Sequence, residues 1–278
     1  MNNGFLLKRN KIIDYYNKCW LNRFKNGHNP NSLAMHMGIF ENGISDNEAA
    51  KLNSNVLIAR KLNLPINAPL KIVDAGCGVG GSLKYFCEKY PTVQLIGINI
   101  SSEQIEFAKE NLKSLRSVKF LIEDFTQTSI ESEEIDYVYA IESVCHADSK
   151  ISFFKEAYRM LKPGGSLLIL DYVQSNIPVD FEMQTHLDFF QNGWAVNQYL
   201  INPGDSAISA GFKSFKIENL NQQVMEGISL SSQKAKLKLE LKENSLESIE
   251  IAHLQACISL KILVENGIIE YQSILCKK

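Results

Sequence analysis

Residues 73–82, VDAGCGVGGS, place four glycines within six positions, directly after the apolar run Leu70–Val73 and directly before a helix-like stretch, Ser82 to Tyr90. A strand that ends in a glycine-rich turn and feeds a helix opens its backbone to a ligand at the helix N-terminus. Gly76, Gly78 and Gly81 satisfy G-x-G-x-x-G, the spacing of dinucleotide sites, but this spacing alone is a weak signal. Asp74 sharpens it. Its carboxylate lies two residues before Gly76, where a pyrophosphate would meet unfavourable charge and a cationic ligand would be welcome. S-adenosylmethionine carries an ammonium and a sulfonium and no phosphate. The loop, with Gly76, Gly78 and Gly80 as its binding glycines, is expected to receive the amino-acid end, and Asp74 the ammonium. A nucleoside-triphosphate P-loop is excluded, because G-x-x-x-x-G-K-[ST] does not occur.

Working outward, the chain from Leu70 alternates short apolar strands with helices. LKIVDAG, VQLIGINI, VKFLIED, IDYVYAIES and SLLILDYV read as strands, separated by helices at 82–90, 101–115 and 150–161. Near-continuous apolar strands between helices imply a parallel sheet covered on both faces, hence a doubly wound, Rossmann-like α/β fold. ISSEQIEFAKENL carries the S-x-x-Q pattern of a capping box, and KPGG ends a helix and turns into the next strand. Upstream, Ile12, Tyr16, Cys19, Trp20 and Phe24 recur at near-helical spacing, and Ser45 or Asp46 is placed to cap a second helix running toward Pro65. Downstream, the aromatic-rich stretch from Gln174 to about residue 205 breaks the rhythm and reads as an insertion over the carboxyl edge of the sheet. FKSFKIENL and IIEYQSILCKK read as strands flanking a helix near 249–264, with KAKLKLELK as either a strand or an exposed helix, a solvated element rather than a phosphate-binding patch. The division expected is a helical cap segment over residues 1–66 and a core over 67–278 with its insertion at about 174–205.

Composition narrows the partners. A formal net charge of −2 offers no general attraction to nucleic acid, and no apolar run approaches the roughly 18 residues of a membrane span. The six cysteines form no C-x-x-C pair and MNNGFLLKRN has no long apolar centre, so reduced thiols and a cytoplasmic location are expected. The five histidines lack zinc spacing and no metal is expected, with Mg²⁺ entering only for a diphosphate acceptor. An N-terminal helical cap can also mediate self-association, which leaves a homodimer open.

The second strand would place an acidic residue against the ribose hydroxyls, about 20 residues past the glycines. Asn99 stands there, neutral but able to hydrogen-bond. Asp124, followed by Phe125 at the end of VKFLIED, is placed to accept from the adenine amino group or to cap a turn. Glu142 and His146, in the segment ESVCHAD at the carboxyl end of the fourth strand, face the crevice of an open sheet and are the candidates for base, orienter or donor ligand.

VDAGCGVGGS, GINIS, IESVCHADS and LKPGG, in this order, resemble the class I S-adenosylmethionine-dependent methyltransferases, most closely the small-molecule branch with sterol, tocopherol and terpene C-methyltransferases. YYNKCW and HMGIF resemble that branch's Tyr-rich helix and His-x-Gly-aromatic segment, and ENGIIEYQSILCKK its final strand. The resemblance implies a seven-stranded, mostly parallel sheet ending in a reversed pair, a position 99 that is often neutral, and a Glu142 near the reacting centre. It also implies that His36 and Glu41 lie on a segment folded over the donor. The acceptor is then a small apolar or aromatic molecule, with carbon favoured over oxygen or nitrogen. Tyr16, Glu41, Phe181, His186, Phe189, Phe190 and Trp194 are its expected contacts, although an aromatic stripe equally packs a lid helix. The competing readings are an RNA or protein methyltransferase, for which no basic face or recognition module is evident, and an NAD-binding or non-catalytic α/β protein.

Overall fold

The computed structural model describes residues 3–115, 117–242 and 246–278. Seven strands form one sheet: β1 (Lys71–Ala75), β2 (Gln94–Asn99), β3 (Val118–Ile122), β4 (Ile135–Ile141), β5 (Leu161–Gln174), β6 (Ser214–Asn219) and β7 (Ile269–Lys277). Their order is β3-β2-β1-β4-β5-β7-β6, parallel except for β7, which runs antiparallel to both β5 and β6. This is the seven-stranded, Rossmann-like arrangement with a reversed final pair. The strands alternate their apolar side chains between two buried faces. Ile72, Leu95, Tyr139, Leu168 and Leu170 fill one, and Val73, Ile98, Val138, Leu167 and Ile169 fill the other.

The helices between strands are α4 (Gly81–Lys89), α5 (Ser102–Asn111) and α6 (Lys150–Met160). Ser101 caps α5 by accepting from the Gln104 N–H, and Ser149 caps α6 by accepting from Ser152. Ahead of the sheet, α1 (Asn3–Tyr16) runs into a π-helical turn (Asn17–Leu21) and the single turn α2 (Asn22–Lys25). Helix α3 (Asn47–Leu62) follows, capped by Asp46, whose carboxylate accepts from Ala49, and closed by Asn63 in the left-handed region. After β5 come α7 (Phe181–Gly193) and α8 (Pro203–Ala210), and between β6 and β7 come α9 (Asn221–Lys242) and α10 (Ser248–Glu265). KAKLKLELK is thus helical, the last part of α9.

Helix α7, the centre of the aromatic insertion, packs along α10. The two cross so closely that a Cβ on Gly193 would collide with the Ala252 carbonyl. Only the end of the insertion, at Trp194 and Val196, reaches the cavity above the sheet.

Candidate active site

The carboxyl ends of β1, β2, β3 and β4 converge on one cavity, to which they contribute Gly76, Asn99, Phe125 and Glu142. The glycine loop forms its floor. Gly76 has φ +99°, and a Cβ there would collide with Ser143, so the loop takes a path that only glycine follows without strain. Gly78, Gly81 and Ser82 also line the cavity. Gly80 does not, because it caps α4 from behind, where a Cβ would meet Ala108 at 3.3 Å.

Asp74 lines the cavity but is only 4% exposed, and its Oδ2 accepts from the Tyr139 hydroxyl at 2.9 Å. Burial pushes its carboxyl up to about 7, against the lowering effect of that hydrogen bond. Ionised, it is a fixed anion beside the glycine loop. Among the described residues, the cavity lining contains no Lys or Arg. A pyrophosphate would find no counter-charge there, whereas an ammonium or sulfonium finds Asp74 and Glu142. The site therefore fits S-adenosylmethionine by charge, with Asp74, Gly76 and Gly78 placed to hold its amino-acid end.

Asn99 lines the cavity, yet its side chain is consumed locally. Nδ2 donates to Gly78 O at 3.2 Å and Gln104 Oε1 at 2.8 Å, and Oδ1 accepts from Ser101 N at 3.2 Å. That last bond is the one a capping-box glutamine would have made. Gln104 is released from it, lines the cavity, and keeps a buried Nε2 with no partner among the described residues. A buried donor without an acceptor is costly, and a bound polar ligand would satisfy it. Gln104 is thus a site residue that sequence reading assigned only to helix capping. Asp124 is likewise turned inward to its own loop, accepting from Thr126 N and Oγ1 at 2.8 and 2.6 Å, while its neighbour Phe125 faces the cavity.

At the end of β4, Glu142 sits at φ +47°, a left-handed conformation that non-glycine residues adopt at a cost, held by its N–H to Leu170 O at 2.8 Å. Its Oε1 accepts from the Met37 N–H at 2.7 Å and from the Tyr271 hydroxyl at 3.0 Å. Burial, with nearby Asp171 adding to it, pushes its carboxyl up to about 8. His146 Nδ1 faces the Ala195 carbonyl at 3.0 Å, so Nδ1 carries the proton and Nε2 accepts from the Tyr16 hydroxyl at 2.7 Å. Burial holds His146 down to about 4, so the imidazole is neutral at physiological pH. Lys150 supports this segment from below by donating to the Val144, Cys145 and Ala147 carbonyls.

His36 lines the cavity with Nδ1 bonded to Met37 O at 2.8 Å, and burial holds it down to about 4. Tyr15, Tyr16, Trp20, Tyr172 and Trp194 supply aromatic walls. The Tyr172 hydroxyl is buried without a partner among the described residues. The other expected acceptor contacts lie elsewhere. Glu41 pairs with Arg60 at 3.1 Å, and Phe181 at the start of α7 is 90% exposed. Phe189 is exposed, Phe190 is buried against Tyr172, Trp194 and Tyr199, and His186 faces Ser259 of α10 at 3.1 Å. Packing of α7 turns His186 toward α10 and buries Phe190, while Phe181 and Phe189 face solvent.

Comparison with known proteins agrees with this geometry. Residues 73–169 match the family described as "Methyltransferase domain". Sterol 24-C-methyltransferase of Debaryomyces hansenii is 29% identical over 180 residues, covering 64% of this chain and 44% of that protein. Phosphoethanolamine N-methyltransferase 1 of Zea mays is 35% identical over 157 residues, covering 54% of this chain and 30% of that one. The chain thus spans less than half the length of either relative. Among solved structures, the cyclopropane synthase MmaA2 from Mycobacterium tuberculosis superposes with a TM-score of 0.77 at 17% identity, over 89% of this chain and 90% of that one, a likeness of fold. Residues 73–169 thus match a methyltransferase domain, and the chain shares its fold with the cyclopropane synthase MmaA2.

Proposed function

We propose that the protein transfers a methyl group to a small apolar or aromatic acceptor, with carbon the favoured atom and oxygen or nitrogen the alternatives. S-adenosylmethionine supplies the methyl as a sulfonium. The observation that carries this reading is one cavity lined by the glycine loop, Asp74, Glu142 and the Tyr16–His146 pair, with largely apolar walls. In-line transfer needs alignment and the exclusion of water, which the aromatic walls provide. Glu142, half ionised near pH 8, is suited to stabilise a cation on the acceptor or to take a proton from it. His146 keeps its Nε2 lone pair directed at the Tyr16 hydroxyl, so it acts on an acceptor through that phenol rather than directly.

Phosphoethanolamine N-methyltransferases are among the relatives, but a phosphate-bearing acceptor is disfavoured by the lack of Lys or Arg among the described cavity residues. Sterol-like, prenyl and phenolic acceptors without a phosphate suit the lining better. No described helix is long and apolar enough to cross a membrane. In this reading the enzyme works in the cytoplasm on a small molecule, with residues 1–66 as its cap. The test is incubation with methyl-labelled S-adenosylmethionine and a panel of sterol, prenyl, phenolic and amine acceptors, followed by mass detection. A methylated sterol, prenyl or phenol is expected. Methylation of phosphoethanolamine alone would overturn the acceptor assignment.

A further inference from the structure

Helix α3 buries four polar side chains, Lys51, Asn53, Ser54 and Asn55. Three of them, together with Glu48, reach the strap formed by residues 31–39. Glu48 accepts from the N–H groups of Asn31 and Ser32 at 2.8 and 2.9 Å. Lys51 Nζ donates to Ala34 O at 3.2 Å, Ser54 Oγ to Met37 O at 3.2 Å, and Asn53 Nδ2 to Ile39 O at 2.9 Å. Residues 48, 51 and 54 are spaced to share one helix face. The other side of the strap lies on the glycine loop. A Cβ on Gly81 would collide with Ser32 O and one on Gly78 with Met35 Cε. Ala34, Met35 and His36 line the cavity, and the Met37 N–H bonds Glu142.

Lys51 is the buried cation of this row, 6% exposed. An ammonium out of water is costly unless its charge and its three donors are met, and an apolar chain of the same reach would fill the space without that cost. The carboxylates facing it are Glu142 at the end of β4 and Glu48 on its own helix, while Lys234 of α9 and Arg23 of α2 oppose it and His36 and His28 lie nearby. We infer that Lys51 is a positioning residue of the donor site: its charge-assisted bond to Ala34 O fixes Leu33–His36 over the glycine loop. This rests on the S-adenosylmethionine reading of the cavity.

Burial holds Lys51 down to about 8, so it loses its charge as pH rises from 8 to 9, whereas an arginine in its place stays charged. The test is titration calorimetry with S-adenosylhomocysteine between pH 7 and 9 on the full chain and on Lys51→Met, Lys51→Gln and Lys51→Arg, with circular dichroism to verify folding. Charge-assisted hydrogen bonds are roughly twice as strong as neutral ones. Lys51→Met is therefore expected to bind about tenfold more weakly. The unsubstituted chain should lose about threefold in affinity between pH 8 and 9 relative to Lys51→Arg, beyond the ligand amine's own titration, which all variants share. Lys51→Gln, neutral but still a donor, should bind more weakly at pH 7 and lack that additional loss. If Lys51→Met does not fold, the Gln and Arg variants decide. Unsubstituted protein that fails to bind S-adenosylhomocysteine removes the cofactor reading itself. Binding by the unsubstituted chain, matched in affinity and pH dependence by the folded variants, overturns the role of Lys51 alone.

Discussion

The hydroxyl of Tyr16 lies 2.7 Å from Nε2 of His146, joining the N-terminal helix to the loop after the fourth strand across 130 positions of sequence. Because the Ala195 carbonyl fixes the proton on Nδ1, the phenol is the donor in this pair. Both groups line the cavity, and burial holds the phenol's own pKa well above its ordinary value.

Removing that phenol leaves His146 with an unfilled acceptor and frees the end of α1 from the loop after β4. Tyr16→Phe should lower turnover on any acceptor identified by the labelled-donor assay by about 100-fold or more, the scale of a lost general acid–base contribution. The calorimetric affinity for S-adenosylhomocysteine should change less than threefold. A selective loss of donor affinity instead would assign Tyr16 to the donor.

Glu142 holds the Met37 N–H and the Tyr271 hydroxyl through one oxygen. Glu142→Gln keeps a carbonyl to accept both bonds and removes the charge. Turnover should fall by at least about 100-fold, within the range for an acid–base group, while donor affinity is kept. In the unsubstituted enzyme the rate should rise through about pH 8 as the carboxyl ionises, and the variant should lack this limb. Steady-state rates from pH 6 to 9 check both.

Asp74 is held up to about 7 by burial, so at neutral pH about half of the free protein carries it protonated. An ammonium binds the ionised form. Affinity for S-adenosylhomocysteine should therefore rise from pH 6 to 8 with release of a proton, and Asp74→Asn should bind about tenfold or more weakly with a flat profile over the same range. Calorimetry in two buffers of different ionisation enthalpy measures the proton directly.

Gln104 keeps its helix-capping role through its backbone, since it is the Gln104 N–H that Ser101 accepts. The side chain is separate from the cap, and its Oε1 also accepts from Asn99 Nδ2. Gln104→Ala should leave the melting temperature within a few degrees and weaken S-adenosylhomocysteine by about fivefold to tenfold, the value of a hydrogen bond near 1 kcal/mol. Paired melting curves and titrations distinguish this from a packing defect.

Stability should peak near pH 6. Asp74, Asp171 and Glu142 have folded values of about 7, 6 and 8, above their unfolded ones, so the stability they contribute is full below about 4 and is lost as pH rises through 6–8. His36, His146 and His253 are held down to about 4, 4 and 3, so theirs is full above about 6.5 and is lost as pH falls toward 4. Melting temperatures from pH 4 to 9, without ligand, should fall on both sides of the maximum. A monotonic rise to pH 9 would contradict the burial of the three carboxyls.

The strands and the glycine loop were legible because their signals are local. Alternating apolar residues such as Ile72 and Val73 belong to opposite sheet faces whatever surrounds them, and Gly76 marks a turn that its own φ demands. Caps at Asp46 and Ser101 follow from the same short-range chemistry. Side-chain roles were less readable where residues of one type had several partners within reach. Asn99 and Asp124 stood at positions suited to a ligand, and neighbours two to five residues away on their C-terminal side claimed the exposed polar atoms first. The aromatic insertion read as an acceptor wall, yet α10, some 60 residues later, takes up one face of its helix.

The sequence by itself determined the sheet and brought Asp74 and the end of the fourth strand to one cavity, because period and turn conformation act over a few residues. Tertiary structure alone decided that Gln104 bonds Asn99 through Oε1 while its Nε2 stays open to the cavity, that Tyr16 meets His146, and that Lys51 reaches a strap over the glycine loop. Those outcomes depend on which buried donor lies nearest which acceptor in space, and desolvation makes each such pairing decisive only once the chain has packed.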